Sequence, residues 1–405
     1  MAPDPEEPIT IPGSDRTIVL YLSLIGFFAI FSTTISKNPV LPLFSQALGA
    51  GDAVIGLIAA VSPLAGILFS FPVGVLSDHL GRRRLLVTSA IVFLAAPILY
   101  LFITDPIWLI PVRFFHGIAT AILGPVISAV IAEKFQVNKG EVLGQYSSVT
   151  LIGRTVAPLA GGAILSFFVL APGLVPYHMV YIAAAVAAIP VFVLVLLYRE
   201  AGGGSIAVLT FSRFRDCFVV FFADPRLKGT ALVDMATYFT FGAFETFLPL
   251  VLISRGMDAY QIGVLFAVQV LIIAATKPFF GRLADRADKR WQIALGLLIT
   301  GWSVAGIPAA SSFTEFLAVS SLFGLGMSLS TVATSTFIAD IARKEQIGAS
   351  MGALSSVMDI GHSTGPLVTG ILVAGFGYGY GFFACTLIAT IVCGFFVLSV
   401  RERNG

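Results

Sequence analysis

The chain has 405 residues, of which 57% are hydrophobic and 11% are charged, and its mean hydropathy is +0.95. Soluble domains carry about 25% charged residues, so these values exclude an ordinary water-soluble enzyme. A net charge of +2 provides no general basic field, which excludes nucleic acid as the main partner. Cys217, Cys385 and Cys393 have neither CxxC nor Cys/His spacing, so we expect no disulfide framework, metal site or cofactor.

The N-terminal residues 1–16 are acidic and rich in proline, which predicts a disordered tail and not a signal peptide. After them the sequence alternates between short polar breaks and apolar stretches of about 20 residues, the length that crosses a bilayer as a helix. The predicted spans number twelve, at 17–42, 53–77, 85–104, 107–133, 143–168, 177–198, 229–253, 260–284, 292–311, 314–341, 349–375 and 380–399.

The distribution of lysine and arginine predicts the orientation of these spans. When the breaks are assigned alternately to two sides, one side receives 19 basic residues and the other receives Arg255 alone. Basic loops stay on the cytoplasmic side, so both termini are predicted to be cytoplasmic. We therefore expect a multi-pass protein of an inner or plasma membrane, in contact with the lipid bilayer.

The longest polar break, between spans six and seven, contains phenylalanines at helical spacing among charged residues: Phe211, Phe214, Phe218 and Phe221. They predict a short helix on the membrane surface, although an ordinary linker packed on the bundle fits the same pattern. The predicted organisation is a disordered cytoplasmic tail (1–16), an N-terminal six-helix bundle (17–199), a cytoplasmic linker (200–228), a C-terminal six-helix bundle (229–400) and a cytoplasmic tail (401–405).

An internal repeat relates the two predicted bundles. At an offset of 207 residues, Asp78 aligns with Asp285 and Gly117 with Gly324. Such a parallel duplication builds two pseudo-symmetric bundles around a central cavity, with alternating access of the cavity to the two sides of the membrane. The repeat predicts an all-α membrane transporter for a small-molecule substrate, and one chain contains both halves, so a monomer suffices.

The break between spans two and three carries glycines, an aspartate and a run of arginines: Gly74, Asp78, Gly81, Arg82, Arg83 and Arg84. Here the chain resembles the major facilitator superfamily, whose cytoplasmic signature GxLaDrxGrkxxl matches these positions. The resemblance implies that Asp78 and Arg82 form a charge cluster with Glu133, which holds the cytoplasmic side closed in the outward-open state.

The second copy of this signature contains Gly281 and Asp285, and the resemblance implies Asp340 as its acidic partner. Asp288 stands where the family has glycine, so a different loop geometry is expected there. A loop made basic only to set the topology is the alternative interpretation of both copies.

Span four contains Arg113 and His116, and this stretch looks like the family signature RxxqG with histidine in place of glutamine. A guanidinium inside the bilayer is costly, so Arg113 is expected to face the cavity or a carboxylate. His116 could titrate or bind substrate, but a lone histidine on a packed span is more often a hydrogen-bonded structural residue.

Spans five and eleven share a pattern of glycine and proline that permits close packing and kinks. The pattern is similar to the antiporter signature of the drug:proton (multidrug efflux) branch, with Ala157 in place of a glycine. Its principal residues are Gly153, Pro158, Gly161 and Gly162 on span five, and Gly361 and Pro366 on span eleven.

Charges inside the spans differ in sign between the halves. Lys37, Arg113 and Arg154 lie in the first half, whereas Glu245 and Asp359 lie in the second, with Asp234 and Lys277 as weaker candidates near the cytoplasmic ends. Buried charges are tolerated when they are paired or line a wet cavity, so we expect contacts across the halves.

His362 follows Asp359 by three residues and shares its helix face. An imidazole beside a carboxylate is suited to proton coupling, and a static structural pair is the alternative.

The sequence therefore predicts a secondary transporter with alternating access, and the family resemblance favours proton-coupled export of small organic or hydrophobic compounds. No Walker loop, HExxH or GxSxG motif occurs, so neither an ATP-driven pump nor an enzyme is expected. Two alternatives stay open. One is an importer or exchanger of organic anions, sugars or amino acids, and the other is a non-transporting membrane receptor.

Overall fold

The structure is a computed structural model that describes residues 15–135, 138–198, 223–341 and 347–400, and all regular elements in these ranges are helices. The helices are α1 (Asp15–Ile35), α2 (Val40–Ala47), α3 (Asp52–Leu80), α4 (Arg82–Tyr100), a 3₁₀ turn (Pro106–Trp108), α5 (Leu109–Lys134), α6 (Lys139–Phe167), α7 (Val175–Leu197), α8 (Pro225–Ser254), α9 (Ala259–Arg286), α10 (Lys289–Ala305), α11 (Phe313–Ile341), α12 (Ile347–Phe376) and α13 (Tyr378–Ser399). Residues 1–14 of the predicted N-terminal tail, the predicted C-terminal tail and most of the predicted linker lie outside the described residues. Asp15 and Arg16, which were predicted to belong to the tail, begin α1.

Ten segments of the described chain are long and apolar enough to cross a membrane. The two other predicted spans correspond to α10, which has 17 residues, and to α12. Serines, threonines, Asp359 and His362 lower the hydropathy of α12. The chain is therefore a multi-pass membrane protein whose described regular elements are helices.

The first predicted span, 17–42, falls within one segment that is long and apolar enough to cross a membrane, Arg16–Ala47. The chain leaves helical geometry inside this segment, between α1 and α2. Pro39 at the start of α2 lacks a backbone N–H, and a proline disfavours helical geometry in the residue before it. The interruption contains Lys37 and Asn38. Two polar residues thus lie at the point where the helix is interrupted.

Helices of the two halves meet through two related pairs, α3 with α12 and α6 with α9. A Cβ atom added at Gly56 of α3 would lie 2.3 Å from the carbonyl oxygen of Pro366 on α12. One added at Gly263 of α9 would lie 2.4 Å from the carbonyl oxygen of Pro158 on α6. The internal repeat aligns Gly56 with Gly263 and Pro158 with Pro366, so the duplication recurs in the packing between the halves.

Buried apolar side chains form one large cluster that includes both halves and three that each belong to one half. The large cluster lies near the loops 101–108 and 306–312, an end of the molecule that we call the sealed end. The single-half clusters lie at the opposite end, which carries Arg82 and Arg290 and which we call the basic end. The described halves thus share apolar packing at the sealed end, and we infer that the space between them opens towards the basic end.

Candidate functional site

A cavity of about 490 Å³ lies between the halves and is lined by residues of both. It brings together six of the seven residues that the sequence predicted for a substrate or proton pathway, namely Lys37, Arg113, Arg154, Glu245, Asp359 and His362. The seventh, His116, does not line it.

Glu245 of α8 lines the cavity and is only 5% exposed. Its carboxylate accepts hydrogen bonds from the Lys37 ammonium and from the Asn38 side-chain amide of the other half. His362 of α12 adds its Nε2 at 3.1 Å from Glu245 Oε2 and at 3.2 Å from Lys37 Nζ. The expected contact across the halves is therefore present, and the break between α1 and α2 supplies both donors from the first half.

Asp359 and His362 do not face each other as expected, because the His362 ring turns towards Glu245 and lies 5.3 Å from the Phe241 ring. The Asp359 carboxylate points instead to α3 of the other half, where Oδ2 lies 3.0 Å from the place a Cβ would take on Gly66. In the described chain this carboxylate forms no ion pair and lines the cavity. The cavity thus holds one paired and one unpaired carboxylate.

Arg113 lies near the start of α5 and reaches the cavity, as expected, although it is only 2% exposed. Its Nε and Nη1 have no hydrogen-bond partner among the described residues. His116 is 1% exposed and packs its ring 6.0 Å from that of Phe93 and 6.1 Å from that of Tyr100. The histidine therefore belongs to an aromatic core, while the arginine belongs to the cavity.

Arg154 of α6 and Lys277 of α9 are both exposed to the cavity. Within the described ranges neither forms an ion pair. The sequence ranked Lys277 low because it stands near the predicted cytoplasmic end of its span. Because the cavity opens towards the basic end, a residue near that end of α9 can line the cavity and need not belong to a loop.

Asp234, the other weaker candidate, is 1% exposed and does not line the cavity. Its Oδ1 accepts a hydrogen bond of 2.8 Å from the Thr334 hydroxyl of α11.

No group of three or more His, Cys, Asp or Glu side chains in the described chain could hold a metal ion.

Two ion pairs at the basic end follow the internal repeat, which aligns Arg82 with Lys289 and Glu133 with Asp340. Arg82 donates from both terminal nitrogens to both carboxylate oxygens of Glu133, and its side chain is 7% exposed. Lys289 Nζ lies 2.9 Å from Asp340 Oδ2, a carboxylate that is 56% exposed. The first copy is therefore the more buried and better bonded pair.

The remaining signature residues lie at the ends of α3 and α9. Gly74 and Asp78 belong to the last turns of α3, but the predicted contact of Asp78 concerns a side chain outside the described set. Gly281 and Asp285 belong to the last turns of α9, where Asp285 is exposed.

The two copies of this signature differ in loop geometry, as expected from Asp288 in place of a glycine. Gly81 ends α3 with φ +82°, a conformation that favours glycine, whereas Asp288 has φ −63° and caps α10 by accepting a 2.9 Å hydrogen bond from Arg290 N. Partial burial raises the pKa of Asp288, but the hydrogen bonds from Arg290 outweigh it, so the pKa is lowered overall. A cap in the second copy thus replaces the glycine turn of the first.

The glycines of the predicted antiporter pattern lie at close helix contacts. A Cβ atom added at Gly153 would lie 2.9 Å from Phe27 O, and one added at Gly161 would lie 3.3 Å from Ile35 Cγ1. A Cβ atom at Gly162 would lie 2.3 Å from Ala259 O, and one at Gly361 would lie 2.2 Å from Met235 O. Only the Gly162 contact joins the two halves. The pattern therefore serves packing inside each half as well as between them.

Comparison with known proteins gives a consistent result over most of the chain. The sequence model of the Major Facilitator Superfamily matches residues 22–269 and 230–405. An uncharacterised MFS-type transporter of Methanocaldococcus jannaschii is 24% identical over 339 residues, 82% of this chain and 86% of the relative. A homolog of the multi-drug resistance efflux pump PmrA from Lactococcus lactis is 23% identical and covers 88% of both chains. The multidrug transporter MdfA of Edwardsiella piscicida is 24% identical over 80% of this chain and 81% of its own.

Solved structures share the fold at low sequence identity. A bacterial homolog of the human lysosomal transporter Spinster, in an inward-facing and unoccupied conformation, has a TM-score of 0.81 at 17% identity, covering 96% of this chain and 98% of that one. A point mutant of the nucleoside transporter NupG has a TM-score of 0.81 at 13% identity, covering 95% of this chain and 100% of that one.

Proposed function

The chain belongs to the major facilitator superfamily, and from this membership we propose that it is a proton-coupled exporter of small organic compounds. In this proposal the twelve long helices form two pseudo-symmetric bundles of six around the cavity, and the protein works by alternating access. The basic end faces the cytoplasm, as do both termini, so the described structure is the inward-facing state.

The observation that carries the proposal is the buried cluster of Lys37, Glu245 and His362, which bridges the two halves beside the cavity. Opening the sealed end separates the segment between α1 and α2 from α8, so it must disrupt this cluster. A buried ion pair between two halves that move relative to each other can couple a change of charge to a change of conformation. The reason is that each charged group raises the free energy when it is buried without its partner.

Asp359 is the proton carrier in this proposal. It is a cavity-lining carboxylate without an ion pair in the described chain, and the cavity is reached from the basic end. In the inward-facing state, the carboxyl group releases its proton to the cytoplasm and the compound enters the cavity. In the outward-facing state, it takes up a proton from the other side as the compound leaves. The names of the PmrA and MdfA relatives support the direction of transport.

The test is proton movement in liposomes that contain the purified protein and a trapped pH dye. Substrate addition should evoke proton flux in the wild type, and Asp359→Asn should abolish this flux while counterflow of labelled substrate persists. Glu141→Gln is the matched control, because Glu141 is an exposed carboxylate at the start of α6 and away from the cavity. Full proton coupling in Asp359→Asn would exclude the proposed carrier, and absence of both flux and counterflow in the wild type would exclude the transporter.

A further inference from the structure

The formal charges of the cavity do not balance. Lys37 and Glu245 neutralise each other. Among the described lining residues this leaves three cations, Arg113, Arg154 and Lys277, and one unpaired carboxylate, Asp359. The lining thus carries an excess of two positive charges in the described chain. In a cavity bounded by low-dielectric walls, such an excess attracts anions and repels cations.

Arg113 points most directly to a ligand. Its side chain is one of the largest fully buried groups of the protein, yet Nε and Nη1 have no acceptor among the described residues. A buried N–H of a guanidinium is costly when it has no acceptor. Oxygen atoms of a carboxylate, sulfonate or phosphate supply such acceptors in a geometry that fits the planar guanidinium.

Asp359 does not satisfy these cations. Its Oδ2 lies against Gly66 of α3, and it forms no ion pair with Arg113, Arg154 or Lys277 among the described residues. The cations come from three helices, α5, α6 and α9, so both halves of the protein contribute to the charged region.

The cavity also has an apolar region. Phe241, Phe266 and Met327 line it together with further apolar side chains. Aromatic and methionine side chains bind apolar groups without a strict requirement for shape. The cavity therefore offers a cationic region and an apolar region to one bound molecule.

We propose that the transported compound is an amphiphilic organic anion, whose charged group is bound by Arg113, Arg154 and Lys277 and whose apolar part packs on Phe241, Phe266 and Met327. This inference rests on the proposed transport function and specifies the substrate class. Lys37 is not part of the anion site, since Glu245 already neutralises it.

The test compares three naphthalene probes of similar size on the full chain in phosphatidylcholine nanodiscs. The probes are naphthalene-1-sulfonate, the neutral naphthalene-1-sulfonamide and the cationic 1-naphthylmethylammonium, and calorimetry measures their equilibrium binding. The sulfonate should bind at least about tenfold more tightly than the others, as expected for one charge-assisted hydrogen bond. Equal or weaker binding of the sulfonate would overturn the inference.

Single substitutions then locate the charged site. Arg154→Gln and Lys277→Gln should each weaken sulfonate binding by about tenfold or more and leave sulfonamide binding unchanged. Both residues are exposed, so these variants are expected to fold even if Arg113→Gln does not. Arg255→Gln is the control, because it removes the same charge from an exposed position outside the cavity. Unchanged sulfonate affinity in both cavity variants would overturn the site.

Proton flux with the same probes separates the inference from the proposed function. Flux evoked only by the cation or the amide would retain proton-coupled export and overturn the anionic substrate. Sulfonate binding that depends on Arg154 but evokes no proton flux would retain the anion site and overturn proton coupling. Phosphatidylglycerol added to the nanodiscs distinguishes two sources of the anion. If the lipid competes with the sulfonate, the site binds a lipid phosphate. If the lipid does not compete, the site binds a soluble anion.

Discussion

Lys37 and Glu245 form an ion pair that joins the break between α1 and α2, in the first half of the chain, to α8 in the second. At the repeat offset of 207 residues Glu245 aligns with Asn38, the neighbour of Lys37, so the pair joins equivalent regions of the two halves. His362 of the second half also contacts Glu245. The pair therefore reports whether the halves are together at the sealed end.

Substitution of Glu245 by glutamine should destabilise the protein by about 3 kcal/mol, because Lys37 is then left without a carboxylate in a largely buried position. The double variant with Lys37→Met should recover most of this loss, since it leaves no unpaired charge. Unfolding in mixed micelles measures both effects. A double variant as unstable as Glu245→Gln alone would show that the carboxylate acts through Asn38 or His362 rather than through Lys37.

Alanine at Gly56 or Gly263 should shift the protein away from the state sealed at this end. The added methyl group would lie 2.3 or 2.4 Å from a carbonyl oxygen of the other half, so the helices must separate. Spin labels in the loops 168–174 and 306–312 should show a larger share of long distances. Gly124→Ala is the control because nothing lies within 4 Å of its Cβ position. Identical distance distributions in all four proteins would contradict this explanation of the glycines.

The two repeat-related ion pairs at the basic end should differ in their contribution to stability. Glu133→Gln should cost about 1–3 kcal/mol, because it removes a two-bonded partner from Arg82, whose side chain is 7% exposed. Asp340→Asn should cost less than about 1 kcal/mol, as for an exposed pair. The free energies of unfolding of both variants test this order. Equal losses would mean that burial does not separate the two copies.

Asp288→Ala should destabilise the protein by about 1 kcal/mol through loss of the cap of α10, whereas Asp288→Asn keeps an acceptor for Arg290 N. The pKa of Asp288 is lowered in the folded protein, so its ionised form stabilises the fold above the unfolded-state pKa of about 3.9. This contribution is lost as the pH falls through the lower, folded-state pKa.

Melting midpoints of the wild type and Asp288→Asn measured from pH 7 to about pH 3 test the direction of this effect. The advantage of the wild type should shrink below about pH 4. An advantage that grows on acidification would have the opposite sign and would refute the role of the carboxylate.

The composition of the site was predictable from the sequence, but its pairing was not. Opposite charges in duplicated halves predicted contacts between Lys37 and the acidic residues of the other half. Which carboxylate it meets depends on helix rotation of about 100° per residue and on the break before Pro39, and neither follows from hydropathy. The same rotation directs His362 to Glu245 and away from Asp359.

The fold shows the same limit. Apolar stretches and the 207-residue repeat predicted helices close to those observed, because length and periodicity are local properties of the chain. The sequence marked Asp288 as a departure from the glycine pattern, but the cap that replaces the turn depends on φ and ψ. The proximity of Lys277 to the cavity depends on which end of the molecule is open, a property of the whole assembly of helices.

The shared apolar core at the sealed end implies a temperature dependence of the transport cycle. Opening that end exposes to water side chains that are now buried between the halves, including Ile58 and Phe247. Exposure of apolar surface raises the heat capacity, and the free-energy gain from burying it decreases on cooling. We therefore expect cooling to favour the state that is open at the sealed end, and a plot of the logarithm of the equilibrium constant against inverse temperature to be curved.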